Sequence, residues 1–367
     1  MPTRRAVASA LVAAAWPARN AATAVPTAAG NAGNAVGPLN FPADFGAHPA
    51  SRIEWWYATG ALHAGARQFG FQITFFRTAT GVAAASGSRF AASQLLFAHA
   101  AVTDLEQRQL RHDQRIARSG FGIASASEDD TALVLRDWRL LRDPGSAGRY
   151  LARASSERAG FAFELSLAPT QPLLLQGVAG LSRKGPRTEQ ASRYYSQPQL
   201  AASGRLAIDR GAPFEVTGRA WLDHEWSDAL LDANAVGWDW IGMNLDDGAA
   251  LMAFRIRRAD GSALWSGGSH RPVGGPTRVF ENAEVVFTPG RVWASPATRA
   301  RYPVDWQVAT PVGRFAVKAL LEAQELDSRA SSGAVYWEGL SQLFDARGAP
   351  VGRGYLEMTG YAARLVL

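Results

Sequence analysis

A chain of 367 residues, 47% hydrophobic and 19% charged, can bury substantial cores and has room for about two domains, which excludes a largely disordered polymer. Its 38 basic and 32 acidic residues leave a net charge of +6, but only Lys184 and Lys318 are lysines. The arginines are scattered among apolar residues, so no nucleic-acid interface is expected. Cysteine is absent, which removes disulfides, thiolate metal sites and thiol catalysis.

The chain opens on MPTRRAVASALVAAAW, in which Arg4 and Arg5 precede about ten small apolar residues, the layout of a twin-arginine secretory signal. The stretch falls short of the roughly 20 apolar residues a membrane helix needs. The segment GNAGNAVGPLN then reads as a flexible linker. Residues 1–38 are therefore expected to be leader and linker on an exported protein, periplasmic or secreted.

From about Phe41 the pattern has period two. QFGFQITFFRT sets Phe69, Phe71, Ile73 and Phe75 against Gln72 and Thr74, and FAFELSLAP sets Phe161, Phe163, Leu165 and Leu167 against Glu164 and Ser166. FEVTGRAWL repeats the scheme from Phe214 to Leu222. Such alternation predicts half-buried antiparallel strands, and the turn sequences LDDGA, RADGS and DARGAP fall between apolar runs. FAVKALLEAQEL is the nearest thing to an amphipathic helix, and it equally reads as a strand entering a turn. The aperiodic SDALLDANAVG divides the chain, predicting an all-β protein with one barrel over 39–228 and a second over 229–367.

Closing a barrel pairs its first strand with its last. EWWY (Glu54–Tyr57) lies on the first strand of the first unit and WLDHEW (Trp221–Trp226) on the last, so the two clusters are expected to be spatial neighbours. Alternation puts His224 and Trp226 on one face of that strand and Asp223 and Glu225 on the other. A histidine between two acids marks a candidate catalytic site, with His224 and Trp226 facing inward and Asp223 near the rim. The other reading is a structural barrel end, with Glu54 paired to an arginine such as Arg219.

EWWYATGAL, RYYSQPQLAASGRL, GRAWLDHEW, AVYWEGL and GRGYLEMTGY occur in this order, and together they resemble the carotenoid 1,2-hydratase (hydroxyneurosporene synthase) and AttH family of lipocalin-like proteins over about Phe41 to Tyr361. The resemblance implies two tandem lipocalin-like antiparallel β-barrels and a lipophilic ligand held in a barrel interior. The family spans hydratases, cyclising relatives and exported members of unknown activity. Its hydratase members carry tyrosine and acid groups on the strand after His-x-Trp, whereas ALMAFRIRR (Ala250–Arg258) offers neither here.

Hydration of an alkene needs a proton donor and aromatic faces that stabilise positive charge. Asp223, His224 and Trp226 are the candidate catalytic residues. Glu54, Trp56, Tyr57, His99, Tyr194, Tyr195 and Glu225 are the candidate ligand contacts. Tyr336 to Gly339 reads as packing of the second unit. The chain has no G-x-S-x-G elbow, H-E-x-x-H motif or glycine-rich phosphate loop, so neither a metal nor an organic cofactor is expected. The expected partner is a lipophilic, isoprenoid-like small molecule, and peripheral contact with a membrane stays open. The expected activity is a cofactor-independent hydro-lyase acting on a C=C bond. A non-catalytic carrier and a cyclase or isomerase are the alternatives.

Overall fold

The computed structural model describes residues 37–82, 88, 91–229 and 231–365. The paired arginines and the apolar run of the leader lie outside the described residues. The described residues form one compact unit, and its regular structure is almost wholly strand.

The first sheet has 13 strands. From its edge it runs Gln109–Arg118, Gln94–Asp104, Arg67–Ala79, Ile53–Ala64, Phe214–Ser227, Ala191–Ile208, Phe161–Ala168, Arg149–Ser156 and Trp138–Asp143, ending in two short strands, and two more short strands pair with Ala191–Ile208 off this path. It curls into a nearly closed antiparallel barrel. The pairing of first and last long strands puts Trp56 opposite His224, Tyr57 opposite Asp223 and Glu54 opposite Trp226. EWWY and WLDHEW are thus neighbours, as closure requires.

The second sheet has 10 strands and repeats this logic. Its first strand, Ala235–Leu245, pairs with its last, Pro350–Met358, which pairs in turn with Ala334–Phe344. The all-β, antiparallel architecture expected from the alternation is therefore present. FAVKALLEAQEL forms a strand, Gly313–Ala319, followed by a turn and the short strand Glu325–Ser328.

Each sheet encloses its own core. Phe69, Phe71, Ile73, Trp138, Leu165 and Leu222 pack inside the first, and Ile241, Met243, Trp306, Trp337 and Leu356 inside the second. A third cluster, including Tyr57, Tyr194, Trp221, Trp240, Phe254 and Tyr355, lies where the sheets meet. The central strands are thus buried on both faces, so even their polar residues leave solvent. At one point the sheets approach closely: a Cβ on Gly70 would sit 2.5 Å from the Tyr355 hydroxyl, so a larger residue there would have to displace that ring. The interior of the first barrel is packed with side chains, and a cavity lies between the sheets.

Candidate functional site

Strand alternation splits the predicted residues into two groups. The even-numbered members Glu54, Trp56, His224 and Trp226 face the barrel core, together with Tyr195. Glu54 Oε1 accepts from His224 Nε2 at 2.8 Å and from His48 Nδ1 at 2.7 Å, and Arg77 Nε donates to Oε2 at 2.7 Å. Trp56 stacks on the His224 ring at 4.4 Å, and His48 stacks on Trp226 at 3.7 Å. Burial lowers the His224 pKa, so the ring is neutral, with Nε2–H donating to Glu54 and Nδ1 accepting from the Tyr195 hydroxyl at 3.1 Å.

Burial alone would raise the Glu54 carboxyl. The hydrogen bonds from His224 and His48 and the charge of Arg77 outweigh it and hold the group at about 2. The partner of Glu54 is Arg77, not Arg219. The register of the first two strands puts Arg77 directly opposite Glu54, whereas Arg219 faces Ala61 farther along the barrel. Nitrogen and oxygen atoms of His48, Glu54 and His224 converge within 4.8 Å, a spacing that could hold a cation. Both ring nitrogens already bond Glu54, however, and the Arg77 guanidinium adds positive charge where a cation would compete. The cluster is a hydrogen-bonded barrel end.

The remaining members, Tyr57, His99, Tyr194, Asp223 and Glu225, point the other way and border a cavity of about 400 Å³ between the sheets. Of the core-facing group only Glu54 also reaches its edge; Trp56, Tyr195, His224 and Trp226 do not. Asp223 Oδ1 accepts from Ser196 Oγ at 2.5 Å and Trp221 Nε1 at 2.7 Å, and Oδ2 accepts from the Tyr194 hydroxyl at 2.8 Å. Burial raises Asp223 to about 7 in spite of these donors. Glu225 accepts from the Ser192 hydroxyl and pairs with Lys184 Nζ at 3.0 Å. Lys184 also lies 4.4 Å from the centre of the Phe254 ring. His99 is neutral, burial lowering it to about 3; its Nδ1 accepts from Tyr336 at 2.8 Å and its Nε2 donates to Ser331 Oγ at 2.9 Å.

The second sheet supplies further groups, among them Tyr336 and Glu338 of the stretch that read from sequence as packing. Trp238, Trp240, Phe254 and Tyr336 line the cavity, together with two further acids, Glu338 and Glu357. These acids stand directly opposite each other on paired strands, Glu338 buried and Glu357 half-buried. Glu338 Oε2 accepts from Gln72 Nε2 at 2.7 Å, and Glu357 Oε2 accepts from Trp238 Nε1 at 3.1 Å. Burial, and next the neighbouring Glu357 charge, push Glu338 well above the usual carboxyl range. Burial raises Glu357 to about 7. Two close carboxyls resist ionising together, so the pair holds at least one proton at neutral pH.

The signal for these acids was a single glutamate inside an otherwise apolar strand, in YWEG and again in YLEM. Either alone is compatible with packing. Only the register between the two strands makes them a pair. An acid–acid pair in an aromatic-walled cavity can donate a proton through one member and accept one through the other.

Residues 32–361 match the AttH-like family. The NE1406 protein of Nitrosomonas europaea, an AttH relative, is 48% identical, with a TM-score of 0.81 over 89% of this chain and 98% of that one. Kievitone hydratase from Nectria haematococca shares the fold at 16% identity, with a TM-score of 0.69 over 90% of this chain and 95% of its own. No curated protein matches the chain significantly by sequence.

Proposed function

The chain belongs to the AttH-like family, and from that premise we propose that it is a cofactor-independent enzyme adding water to, or removing it from, a carbon–carbon double bond of a lipophilic molecule held between the sheets. The observation that carries this reading is the Glu338–Glu357 pair at the wall of an aromatic cavity, with the two acidities pushed apart. Glu338 is the neutral hydrogen-bond donor, and Glu357 is the carboxylate that takes a proton from attacking water. Trp238 steadies Glu357 through its indole N–H, and Gln72 steadies Glu338 through its amide. Asp223 clamps Tyr194 into the cavity wall. Hydration is also what the name of kievitone hydratase states for that protein, with which this chain shares its fold.

His224 and Trp226 support the barrel end in this reading and do not touch the ligand. Action outside the cytoplasm rests on the leader-like first residues alone, and the isoprenoid-like character of the ligand on the sequence resemblance. The test uses the compound that co-purifies with the protein from its native host, incubated with fresh protein in heavy-oxygen water. Label in the product, lost in Glu357→Gln, is the expected result. An unchanged compound under the wild-type protein would overturn the reading in favour of a carrier.

A further inference from the structure

The wall of the inter-sheet cavity holds two buried polar atoms with no hydrogen-bond partner among the described residues: Tyr57 Oη and Glu338 Oε1. Tyr57 is 6% and Glu338 3% exposed. The Tyr57 hydroxyl and the Glu338 carboxyl are near enough for each to shift the other's acidity through a weak contact, but no hydrogen bond of good geometry joins them. A buried polar atom left unpaired costs about 1–3 kcal/mol, so two at one wall call for a partner that arrives with the ligand.

The bonds around them fix what that partner is. Gln72 Nε2 donates to Glu338 Oε2, so a proton on this carboxyl sits on Oε1, the unsatisfied oxygen. Gln72 also donates to the Tyr336 hydroxyl at 3.3 Å, and Tyr336 in turn donates to neutral His99, which gives this chain of bonds a single direction. A tyrosine hydroxyl is likewise a donor. Two donors, O–H of Tyr57 and O–H of Glu338, therefore converge with no acceptor of the protein between them. A phenol beside a carboxylic acid held neutral in an apolar site is the donor pair suited to negative charge building on a carbonyl oxygen.

We propose that the substrate carries a carbonyl conjugated to the reacting double bond, and that Tyr57 and Glu338 hold its oxygen as an enolate forms. This deepens the water-addition reading and rests on it. Water oxygen bonds to the β-carbon while Glu357 takes the water proton. The π electrons shift onto the carbonyl oxygen, where the two donors bind them. The proton on Glu357 then passes to the α-carbon, giving a β-hydroxy carbonyl compound and returning Glu357 to its carboxylate. One water is consumed, and no oxidant or reductant is needed.

The test compares chalcone, a lipophilic aromatic enone, with stilbene, a similarly flat hydrocarbon that lacks the carbonyl. Binding is followed by quenching of tryptophan fluorescence and by the absorption maximum of the bound enone. The expected result is chalcone binding at least ~10-fold more tightly than stilbene, with its absorption moved to the red by a polarised carbonyl. Tyr57→Phe is expected to abolish the preference and most of the red shift while stilbene binding stays unchanged, which also reports an intact cavity. Equal binding of the two compounds, binding of neither, or a red shift that survives in Tyr57→Phe would overturn the proposal. No turnover is read, so failure here leaves water addition to another class of alkene standing. Loss of the heavy-oxygen result would fail that broader reading and the enolate step with it, leaving Tyr57 and Glu338 only as a donor pair that binds a carbonyl.

Discussion

Replacing Glu54 by glutamine keeps its shape and removes one charge from the closed end of the barrel. Glu54 is 1% exposed and so is Arg77, so the ion pair between them is fully desolvated. The fall of the Glu54 carboxyl from an ordinary 4.5 to about 2 corresponds to about 3 kcal/mol of preference for the charged form in the folded state. Because the folded value lies below the unfolded one, this contribution is complete above about pH 4.5, drains away as the pH falls toward about 2, and is absent below that. In Glu54→Gln, Arg77 keeps its bonds to the carbonyls of His48 and Ser51 but loses its carboxylate. Stranding one buried partner costs about 3–5 kcal/mol. Urea unfolding at pH 7 should show that loss as a lower midpoint with the slope unchanged, and a series from pH 5 to 2 should show a shallower acid limb than wild type. A loss under about 1 kcal/mol, or an acid limb identical to wild type, would refute the argument.

His224→Ala removes a ring stacked on Trp56 and the hydrogen bonds to Glu54 and Tyr195, and should cost about 2–4 kcal/mol in urea unfolding while ligand bound per folded molecule stays constant. Loss of ligand without loss of stability would return His224 to the ligand site. Glu357→Gln should reduce turnover about 10²–10⁴-fold with little change in melting temperature. The wild-type rate should rise with pH through about 7, as Glu357 gains its charge, so a flat pH–rate profile would contradict its role as base. Asp223→Asn substitutes an amide for an acceptor of three donors, and should lower stability by about 1–3 kcal/mol, as measured by urea unfolding, and loosen Tyr194, visible as a change in tryptophan fluorescence from neighbouring Trp240.

Alternation in QFGFQITFFRT and FEVTGRAWL was enough to find the strands, and closure was enough to bring EWWY beside WLDHEW, because both follow from local pattern and the need to remove sheet edges. The separation of His224 from Asp223 across the strand was also legible, since side chains alternate wherever no bulge intervenes. Which face meets a ligand was not. A single barrel offers only its interior, whereas here the outer face of the same strands is covered by a second sheet, and that packing is non-local. The Glu54–Arg77 pair needed the register set by the hairpin at Gly65, where φ is 58°. Glu338 and Glu357 lie 19 residues apart in sequence, and each reads alone as an odd charge in a core strand until the pairing of Ala334–Phe344 with Pro350–Met358 sets them opposite each other.

The central claim is that the working site is the space between the two sheets, not the interior of the first barrel. Co-crystallisation with the compound that co-purifies from the native host tests it most directly. Density between the sheets, against Tyr57, Trp240 and Glu338, is the predicted result. Density inside the first barrel, against His224 and Trp226, would contradict the account and return the chemistry to WLDHEW.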